Sequence, residues 1–222
     1  MLIPRYFFTE DFRSFDSYFR SQPHRERRFQ KGAYLWAPGE PHQKLYYFLS
    51  GTAVHYADHE NGRRKIISFH GPGTVFPGYH PNDYKIELSL STAALSPVRA
   101  LEFTKEQFGE MFAANRALSL QVVSWYSMYV NLFLFETVHQ EYNSTLVKLC
   151  NLLYLLTSGQ RGLSAVEITQ EELAELLGVS RIQLTRSLTT LRNQGILFTG
   201  RGKIQVCDRP ALAALCTSET QP

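Results

Sequence analysis

The segment from Leu176 to Cys207 carries five basic side chains and no acidic one. They are Arg181, Arg186, Arg192, Arg201 and Lys203. Cationic side chains bind phosphate oxygens, and a bidentate arginine–guanine pair favours the correct base by about 1–3 kcal/mol. The acidic residues of the region all precede this segment, so positive charge is concentrated locally although the 222-residue chain has a formal net charge of only +3. This distribution favours a DNA-binding surface.

Several uncharged polar side chains complete the predicted DNA-contacting set. The amide of Gln183 suits adenine, Ser180 can offer its N–H or hydroxyl to a phosphate, and Thr185 shares the exposed face. With the N-cap threonine of the preceding helix, the predicted set is Thr169, Ser180, Arg181, Gln183, Thr185, Arg186, Arg201 and Lys203. Their role depends on the elements that hold them.

Two short helices separated by a tight turn are predicted over residues 168–195. Thr169 is a natural N-cap with Glu172 at the capping-box position, Gly178 permits a left-handed turn, and Ser180 caps the second helix. In the second helix, the leucines expected to face the domain core are Leu184, Leu188 and Leu191. This spacing is typical of a helix-turn-helix, whose second helix enters the major groove with its N-terminus first.

A hairpin wing follows. The strands Ile196 to Thr199 and Lys203 to Val206 are joined by Gly200, Arg201 and Gly202, so that basic residues lie at the tip. The C-terminal region, 143–222, is therefore predicted to be a winged helix-turn-helix domain.

Short apolar runs between Gly, Pro and Asn punctuation predict strands from Phe29 to Phe103. Asn61-Gly62 is a hairpin signal, and alternation over Tyr84 to Leu90 predicts a strand with Ile86, Leu88 and Leu90 on one face. Many short strands indicate a closed antiparallel β-barrel or jelly roll, here predicted as a sensory domain over 1–114. A short helix over residues 9–21, capped by Thr9, is predicted ahead of it.

Helical periodicity begins at Thr104, which with Gln107 resembles a capping box. A long helix follows from about Asn115 to Glu141, within a predicted dimerisation segment 115–142. Its apolar residues at alternating spacings of four and three predict a coiled-coil seam, namely Leu118, Val122, Trp125, Tyr129 and Leu132. The other faces are apolar as well, so one side is expected to contact the barrel and the other a second copy. The alternative is a central helix buried within one chain. A further helix, capped by Asn143 or Ser144, is expected to end at Gly159.

With these elements in place, the chain resembles the cyclic AMP receptor protein and fumarate-nitrate regulator (Crp/Fnr) family over Phe29 to Val206. The motifs that carry the resemblance are Lys31-Gly32, Pro38-Gly39-Glu40, Leu45 to Gly51, Asn61-Gly62-Arg63, and Gly71-Pro72-Gly73 leading to Phe76. The resemblance implies an α+β protein with an N-terminal cupin-like antiparallel β-barrel, a long dimerisation helix and a C-terminal winged helix-turn-helix. It also implies a two-fold symmetric operator.

Departures from the family pattern limit the effector. The Gly-Glu and Arg-Ser pairs that hold a cyclic nucleotide are missing from the segment after Phe76. No glutamate directly follows Gly78, and no arginine lies between Phe76 and Arg99. The three cysteines lie at position 150 or beyond, so the N-terminal cysteine cluster of iron–sulfur members is missing too. Ile182 replaces the common glutamate between Arg181 and Arg186, which removes an acceptor for cytosine.

A small aromatic or carboxylate effector is therefore predicted between barrel and long helix, by analogy with members that control halorespiration. The predicted effector-binding residues are Tyr79, His80, Tyr84, Lys85, Trp125, Tyr126 and Tyr129. Lys85 can pair with a carboxylate, and the rings can stack on an apolar body. The simpler interpretation of the helix aromatics is that they belong to the core.

Three alternatives stay open. The fold can serve without an effector, or it can be switched by thiol oxidation, although Cys150 has apolar neighbours that indicate a buried thiol. A metal-dependent cupin enzyme would need ligands such as His55 and His59, but His59 is predicted in a turn. We therefore expect no enzyme activity, no metal and no cofactor.

The remaining expectations concern partners and location. Double-stranded DNA with a near-palindromic operator and a second copy of the chain are the predicted partners, and RNA polymerase is a further candidate. Three cysteines without a CxxC, no signal peptide and no long uninterrupted apolar stretch predict a cytoplasmic protein that does not contact a membrane.

Overall fold

The structure is a computed structural model that describes residues 1–158 and 165–221. Two compact units make up the chain. One unit is Phe7–Ser127, and the other consists of Met1–Tyr6 together with Met128–Pro222. The boundary falls inside one long helix, and each unit is described separately below.

The unit Phe7–Ser127 contains nine strands in two sheets. The strands are β1 Phe7–Phe8, β2 Arg25–Phe29, β3 Tyr34–Trp36, β4 Lys44–Ser50, β5 Ala53–Asp58, β6 Arg64–His70, β7 Val75–Phe76, β8 Leu90–Ala94 and β9 Val98–Thr104. One sheet has the order β1-β6-β5-β8-β3 and the other β2-β9-β4-β7. The short β1 pairs in parallel with β6. All the strand pairs formed among β2 to β9 are antiparallel. Tyr47, Phe48 and Phe103 are among the side chains buried in this unit. The predicted jelly roll is confirmed.

The hairpin signal Asn61-Gly62 is confirmed, because β5 and β6 pair on either side of residues 59–63. Gly62 has φ +80°, which glycine adopts without strain. The strand predicted over Tyr84 to Leu90 is wrong. Lys85–Ser89 is a 3₁₀ helix, and β8 begins only at Leu90. Ile86 and Leu88 are exposed, while the intervening Glu87 is buried because it packs beside an imidazole.

The N-terminal helix begins later than predicted. Its α-helical part is α1, Asp16–Ser21, preceded by a 3₁₀ turn at Arg13–Phe15. Thr9 is not the cap: its hydroxyl donates to the carbonyl of Pro72, and Glu10 has φ +64°, which interrupts a helical backbone. Phe19 of α1 is buried with its ring 4.7 Å from that of Tyr47, so the helix closes one end of the sandwich core.

Two helices follow the barrel. The capping box predicted at Thr104 is confirmed at the start of α2, Lys105–Ala114. The long helix α3, Arg116–Tyr142, has 27 residues and almost the predicted bounds. By length and hydropathy alone α3 resembles a membrane span, a test that core helices of soluble proteins also pass.

The predicted coiled-coil seam on α3 is wrong. Its five residues are no more than 7% exposed, because that face packs within the chain. The opposite face has apolar side chains that are 43–64% exposed, and we call it the outer stripe: Leu120, Val123, Val130, Phe133, Leu134 and Val138. Within the stripe, the exposed positions Leu120, Val123, Ser127, Val130 and Leu134 follow one another at spacings of three and four residues, which is again a heptad pattern, and Phe133 and Val138 lie beside this row.

The second unit carries the remaining elements. They are α4 Thr145–Ser158, β10 Ala165–Glu167, α5 Gln170–Leu177, α6 Arg181–Asn193, β11 Leu197–Gly200, β12 Lys203–Val206 and α7 Arg209–Ala214. The strands form a sheet in the order β10-β12-β11. Of the two predicted caps for α4, Ser144 accepts from the N–H of Val147, whereas the predicted end at Gly159 lies outside the described residues. The strand β10 and the helix α7 were not predicted.

Candidate nucleic-acid interface

The predicted capping box at the start of α5 is present. The N–H of Glu172 donates to Thr169 Oγ1 at 3.1 Å, and the Glu172 carboxylate accepts from the Thr169 N–H at 2.8 Å. Thr169 Oγ1 also donates to that carboxylate. The Thr169 hydroxyl, predicted to contact DNA, therefore caps the start of α5 and is hydrogen-bonded to the Glu172 carboxylate.

A left-handed residue makes the turn between α5 and α6. Gly178 has φ +64°, and the N–H of Val179 donates to the carbonyl of Ala174 at 3.1 Å. Gln140 of α3 donates through Nε2 to the carbonyl of Leu177 at 3.1 Å. Carbonyl groups at a helix end need such donors, so the last turns of α3 help to fix this turn within the unit.

A second capping box, not predicted from the sequence, begins α6. The Ser180 N–H donates to Gln183 Oε1 at 3.0 Å, and the Gln183 N–H donates to Ser180 Oγ at 3.3 Å. The Ser180 hydroxyl donates to the same amide oxygen at 2.9 Å. A bidentate contact with adenine needs both the oxygen and the nitrogen of the amide, so Gln183 would have to leave the cap to make it. The S-x-x-Q spacing was the available signal.

The exposed face of α6 carries the predicted reading residues. Arg181, Thr185 and Arg186 are exposed, while Leu184 and Leu188 anchor the opposite face in the core. Thr185 Oγ1 donates to the carbonyl of Arg181 at 2.8 Å, so only its oxygen lone pairs face outward. The arginine side chains are thus presented on a helix that is held at its start by a cap.

Ile182 is exposed on the same helix, by 67%. An exposed isoleucine in the first turn of a groove-entering helix suits the methyl group of thymine. From the sequence, Ile182 was interpreted only as the loss of an acceptor for cytosine, although its apolar side chain already indicated a possible contact with thymine.

The wing is a two-residue hairpin. Gly200 pairs with Lys203 across Arg201 and Gly202, and Gly202 has φ +66°. Arg201 and Lys203 are exposed at this tip, as predicted. Arg192, near the end of α6, donates to Thr199 of β11 at 3.2 Å and so ties the wing to the helix. The arrangement presents cations on two neighbouring elements, which suits the two edges of a DNA groove.

The residues predicted to bind an effector separate into different environments. In the N-terminal unit, Tyr79 packs on α2, with its ring 5.5 Å from Phe108, whereas His80 stacks on exposed Tyr84 at 4.5 Å. Lys85 is exposed at the start of the 3₁₀ helix. Tyr129 belongs to the other unit, where its ring lies 4.9 Å from Phe133.

Of the remaining two aromatic residues, Trp125 belongs to the core and the neighbouring Tyr126 is half-buried. Trp125 is 1% exposed and lies 5.6 Å from Phe8 and 6.3 Å from Phe76 between ring centroids. A Cβ atom at Gly78 would lie 2.6 Å from the Trp125 ring and 2.7 Å from the Tyr126 hydroxyl. Because these distances allow no side chain there, Gly78 is needed for α3 to approach the loop after β7.

Two of the three thiols, those of Cys150 and Cys216, give little support for a redox switch, whereas the third, Cys207, is exposed. Burial raises the pKa of Cys150 to about 12 and that of Cys216 to about 11. The thiolate is the reactive form, so both groups are unreactive near neutral pH.

Two domain families match the chain where these elements lie. The Crp-like helix-turn-helix domain matches residues 147–215, and the cyclic nucleotide-binding domain matches residues 26–115. The chain belongs to the Crp/Fnr family. It is a DNA-binding transcription regulator of that family, with a cyclic nucleotide-binding type of N-terminal domain.

Similar proteins agree with this assignment over most of their length. The chain is 24% identical over 191 residues to the CRP-like cAMP-activated global transcriptional regulator of Mycobacterium tuberculosis (strain ATCC 25618 / H37Rv), covering 83% of this chain and 85% of that protein. It is 26% identical over 188 residues to the cyclic AMP receptor protein of Thermus thermophilus, with coverages of 81% and 82%.

Solved Crp/Fnr structures share the fold. FixK2 from Bradyrhizobium japonicum superposes with a TM-score of 0.75 at 18% identity, covering 88% of this chain and 98% of that one. CprK in complex with OCPA superposes with a TM-score of 0.70 at 20% identity, covering 91% and 93%.

Proposed function

We propose that two copies of this Crp/Fnr regulator bind a near-palindromic operator in double-stranded DNA, each placing α6 in the major groove. The exposed face of α6 carries the proposal, because it presents Arg181 and Arg186 above a leucine-packed base. In this interpretation Arg181, Ile182 and Arg186 read bases, and Arg201 and Lys203 of the wing bind phosphates. Ser180 and Thr169 act through the caps.

The outer stripe of α3 supports pairing of two chains. Four of its apolar side chains, Leu120, Val123, Val130 and Leu134, repeat with heptad spacing together with Ser127, and Phe133 and Val138 extend the exposed apolar surface beside them. A second copy would cover this surface with an identical one, as two-fold symmetric dimers do. Pairing places two reading helices on one duplex, with half-sites about 34 Å apart if they are separated by one helical turn.

A small organic effector, aromatic or carboxylate, is proposed to act on the N-terminal unit. The loop after Phe76 stacks exposed Tyr84 on His80, and the next residue, Lys85, is exposed at the start of the 3₁₀ helix, which suits an anionic aromatic body. The similar CprK carries OCPA in its solved structure. A cyclic nucleotide is not proposed, because Pro77, Gly78 and Tyr79 follow Phe76 without a glutamate. We further propose a cytoplasmic location, no enzyme activity and contact with RNA polymerase at promoters.

The DNA-reading roles are tested with a duplex selected from random sequences by the full chain. Arg181→Ala and Arg186→Ala are expected to weaken binding to the selected duplex by about 5- to 150-fold relative to a scrambled one, because base contacts are lost. Arg201→Ala is expected to weaken both duplexes by the same factor and to lower the salt slope by about 1. Fluorescence anisotropy at several salt concentrations measures each change.

Arg63→Ala serves as the matched control, since Arg63 is an exposed arginine on the barrel hairpin. It should leave both affinities unchanged. Equal losses on the two duplexes for all three interface variants would remove the base-reading roles. Failure to select any duplex, with or without added aromatic acids, would remove the proposed function.

A further inference from the structure

Two histidines and a glutamate meet in the N-terminal unit. His42 lies in the loop between β3 and β4, His80 in the loop after β7, and Glu87 in the 3₁₀ helix. His80 Nε2 lies 3.2 Å from His42 Nδ1 and 3.0 Å from Glu87 Oε1. One ligand atom from each of the three lies within 4.8 Å of the others.

Two members of the cluster are buried, although they are polar. His42 is 2% exposed and Glu87 is 3% exposed. Glu87 Oε1 makes no hydrogen bond despite its distance from His80, and His42 Nε2 makes none either. Burying a carboxylate oxygen without a partner is costly, so this arrangement calls for a positive charge at the centre of the cluster.

The protonation of His80 sharpens this requirement. His80 Nδ1 contacts the carbonyl oxygen of Asn82, which can only accept, so Nδ1 carries the proton. In the neutral ring Nε2 then presents a lone pair toward both His42 Nδ1 and the Glu87 carboxylate. Two acceptors 3.0 Å apart repel each other unless a cation lies between them.

We propose that His42, His80 and Glu87 bind a divalent first-row transition metal ion of the zinc type. Two imidazoles and one carboxylate favour such an ion over magnesium or calcium, which prefer oxygen ligands alone. Ligands about 2.0–2.1 Å from a tetrahedral ion lie about 3.3 Å apart, close to the separations within the cluster. Three protein ligands leave one coordination position for water or for an anionic ligand.

The surroundings resemble those of metal ligands that are held in place. The Asn82 carbonyl that orients His80 also accepts from Lys105 Nζ at 3.0 Å, and Lys105 pairs with Asp83 at 2.7 Å. A ligating histidine almost always donates its other N–H to such an oxygen, which fixes the ring and raises the basicity of the ligating nitrogen.

The cluster differs from the metal ligands considered in the sequence. His55 Nδ1 contacts the Ser91 carbonyl and the Thr92 hydroxyl, and His59 lies in the β5–β6 turn as predicted. Neither belongs to the group of possible ligands formed by His42, His80 and Glu87, and the proposal departs from the expectation of no metal. Because Tyr84 to Leu90 was interpreted as a strand, Glu87 was not considered as a ligand.

Metal binding is independent of the proposed DNA function and can be measured without DNA. The full chain is stripped with chelator, exchanged into metal-free buffer and titrated with Zn²⁺ by calorimetry. Co²⁺ absorption in the visible range reports the coordination. We expect one ion per chain, and His42→Ala, His80→Ala and Glu87→Gln should each weaken binding at least tenfold. His59→Ala is the matched control and should bind like the parent.

Circular dichroism of each variant shows whether it is folded, and Glu87→Gln preserves the shape of the site if an alanine variant fails to fold. Unchanged affinity in Glu87→Gln and in a folded histidine variant would overturn the proposal, since the ion would then bind elsewhere. The absence of Zn²⁺ and Co²⁺ binding by the parent would also overturn it and leave a proton on His80 as the positive charge. If the ion binds as expected but no operator is found, only the DNA function fails.

Discussion

At the scale of single residues, the side chain of Gln183 has two roles, one in the cap of α6 and one at the proposed DNA surface. Its amide oxygen accepts two hydrogen bonds from Ser180, while its position near the start of α6 faces the proposed groove. Glutamate can hold the same cap, because a carboxylate at the third helical position also accepts from the N-cap N–H. The two roles are therefore separable by substitution.

Gln183→Glu is expected to keep the free energy of unfolding within about 0.5 kcal/mol, since the capping box survives. It should weaken operator binding by roughly tenfold, because a negative charge enters a phosphate-facing surface. Gln183→Ala should instead lower stability by about 0.5–1 kcal/mol. Denaturant titration and anisotropy measure the two effects, and an alanine variant as stable as the parent would argue against the cap.

His55 makes the barrel sensitive to acid. Burial lowers its pKa to about 4, with the Ser91 carbonyl and the facing Asp58 carboxylate acting in the opposite direction. The unfolded chain takes up this proton near pH 6.5. The contribution of the neutral His55 imidazole to the free energy of unfolding is therefore complete above pH 6.5. It is lost as the pH falls toward 4, by about 3 kcal/mol at most.

His55→Gln, whose amide can still donate to Ser91, is expected to reduce the loss of unfolding free energy between pH 6.5 and pH 4. Urea unfolding at four pH values in this interval measures the slope. His59→Gln changes an exposed imidazole and should retain the parental slope. Identical slopes for the parent and His55→Gln would show that this imidazole does not take part.

At the scale of elements, local signals explain which predictions held. The boxes at Thr104 and Thr169 and the left-handed turn at Gly178 depend on neighbours in sequence, and all three are present. The Tyr84 to Leu90 strand failed because alternation does not show that the buried Glu87 has an imidazole partner, His80, in another loop. The seam failed because α3 is apolar on most faces, so two heptad patterns fit it and only tertiary packing chooses between them.

The turn before α6 gives a prediction for an element. Gly178→Ala is expected to lower stability by about 1–2 kcal/mol, because φ +64° is unfavourable for a residue with a Cβ atom. Gly178→Asn should cost less, since asparagine tolerates this region better. Gly200→Ala is the matched control: its nearest neighbour to a Cβ would be 3.7 Å away, and its φ is not positive. Equal stability of Gly178→Ala and Gly200→Ala would contradict the role of the turn.

At the scale of the whole molecule, the outer stripe is the surface through which we propose that two chains pair. Val130→Glu and Leu134→Glu are each expected to convert a dimer into single chains, because a buried pair of like charges opposes association. Light scattering after gel filtration measures the change from twice the chain mass to once. Ile86→Glu, at a similarly exposed apolar site in the 3₁₀ helix Lys85–Ser89, should leave the mass unchanged.

Operator affinity should fall in the same two variants, because a single chain can engage only one half-site. Retention of the dimer mass in both variants would place the pairing surface elsewhere.

The compact unit that reads DNA also includes α3 from Met128 onward, and with it Val130, Phe133, Leu134 and Val138 of the outer stripe. Half-site spacing is thus encoded largely in the same stretch of chain as base preference. Exchange of residues 7–127 for another sensory barrel, by recombination or by design, would then change the signal while preserving the set of regulated promoters. Such a division lets new inputs evolve without a matching change across the genome.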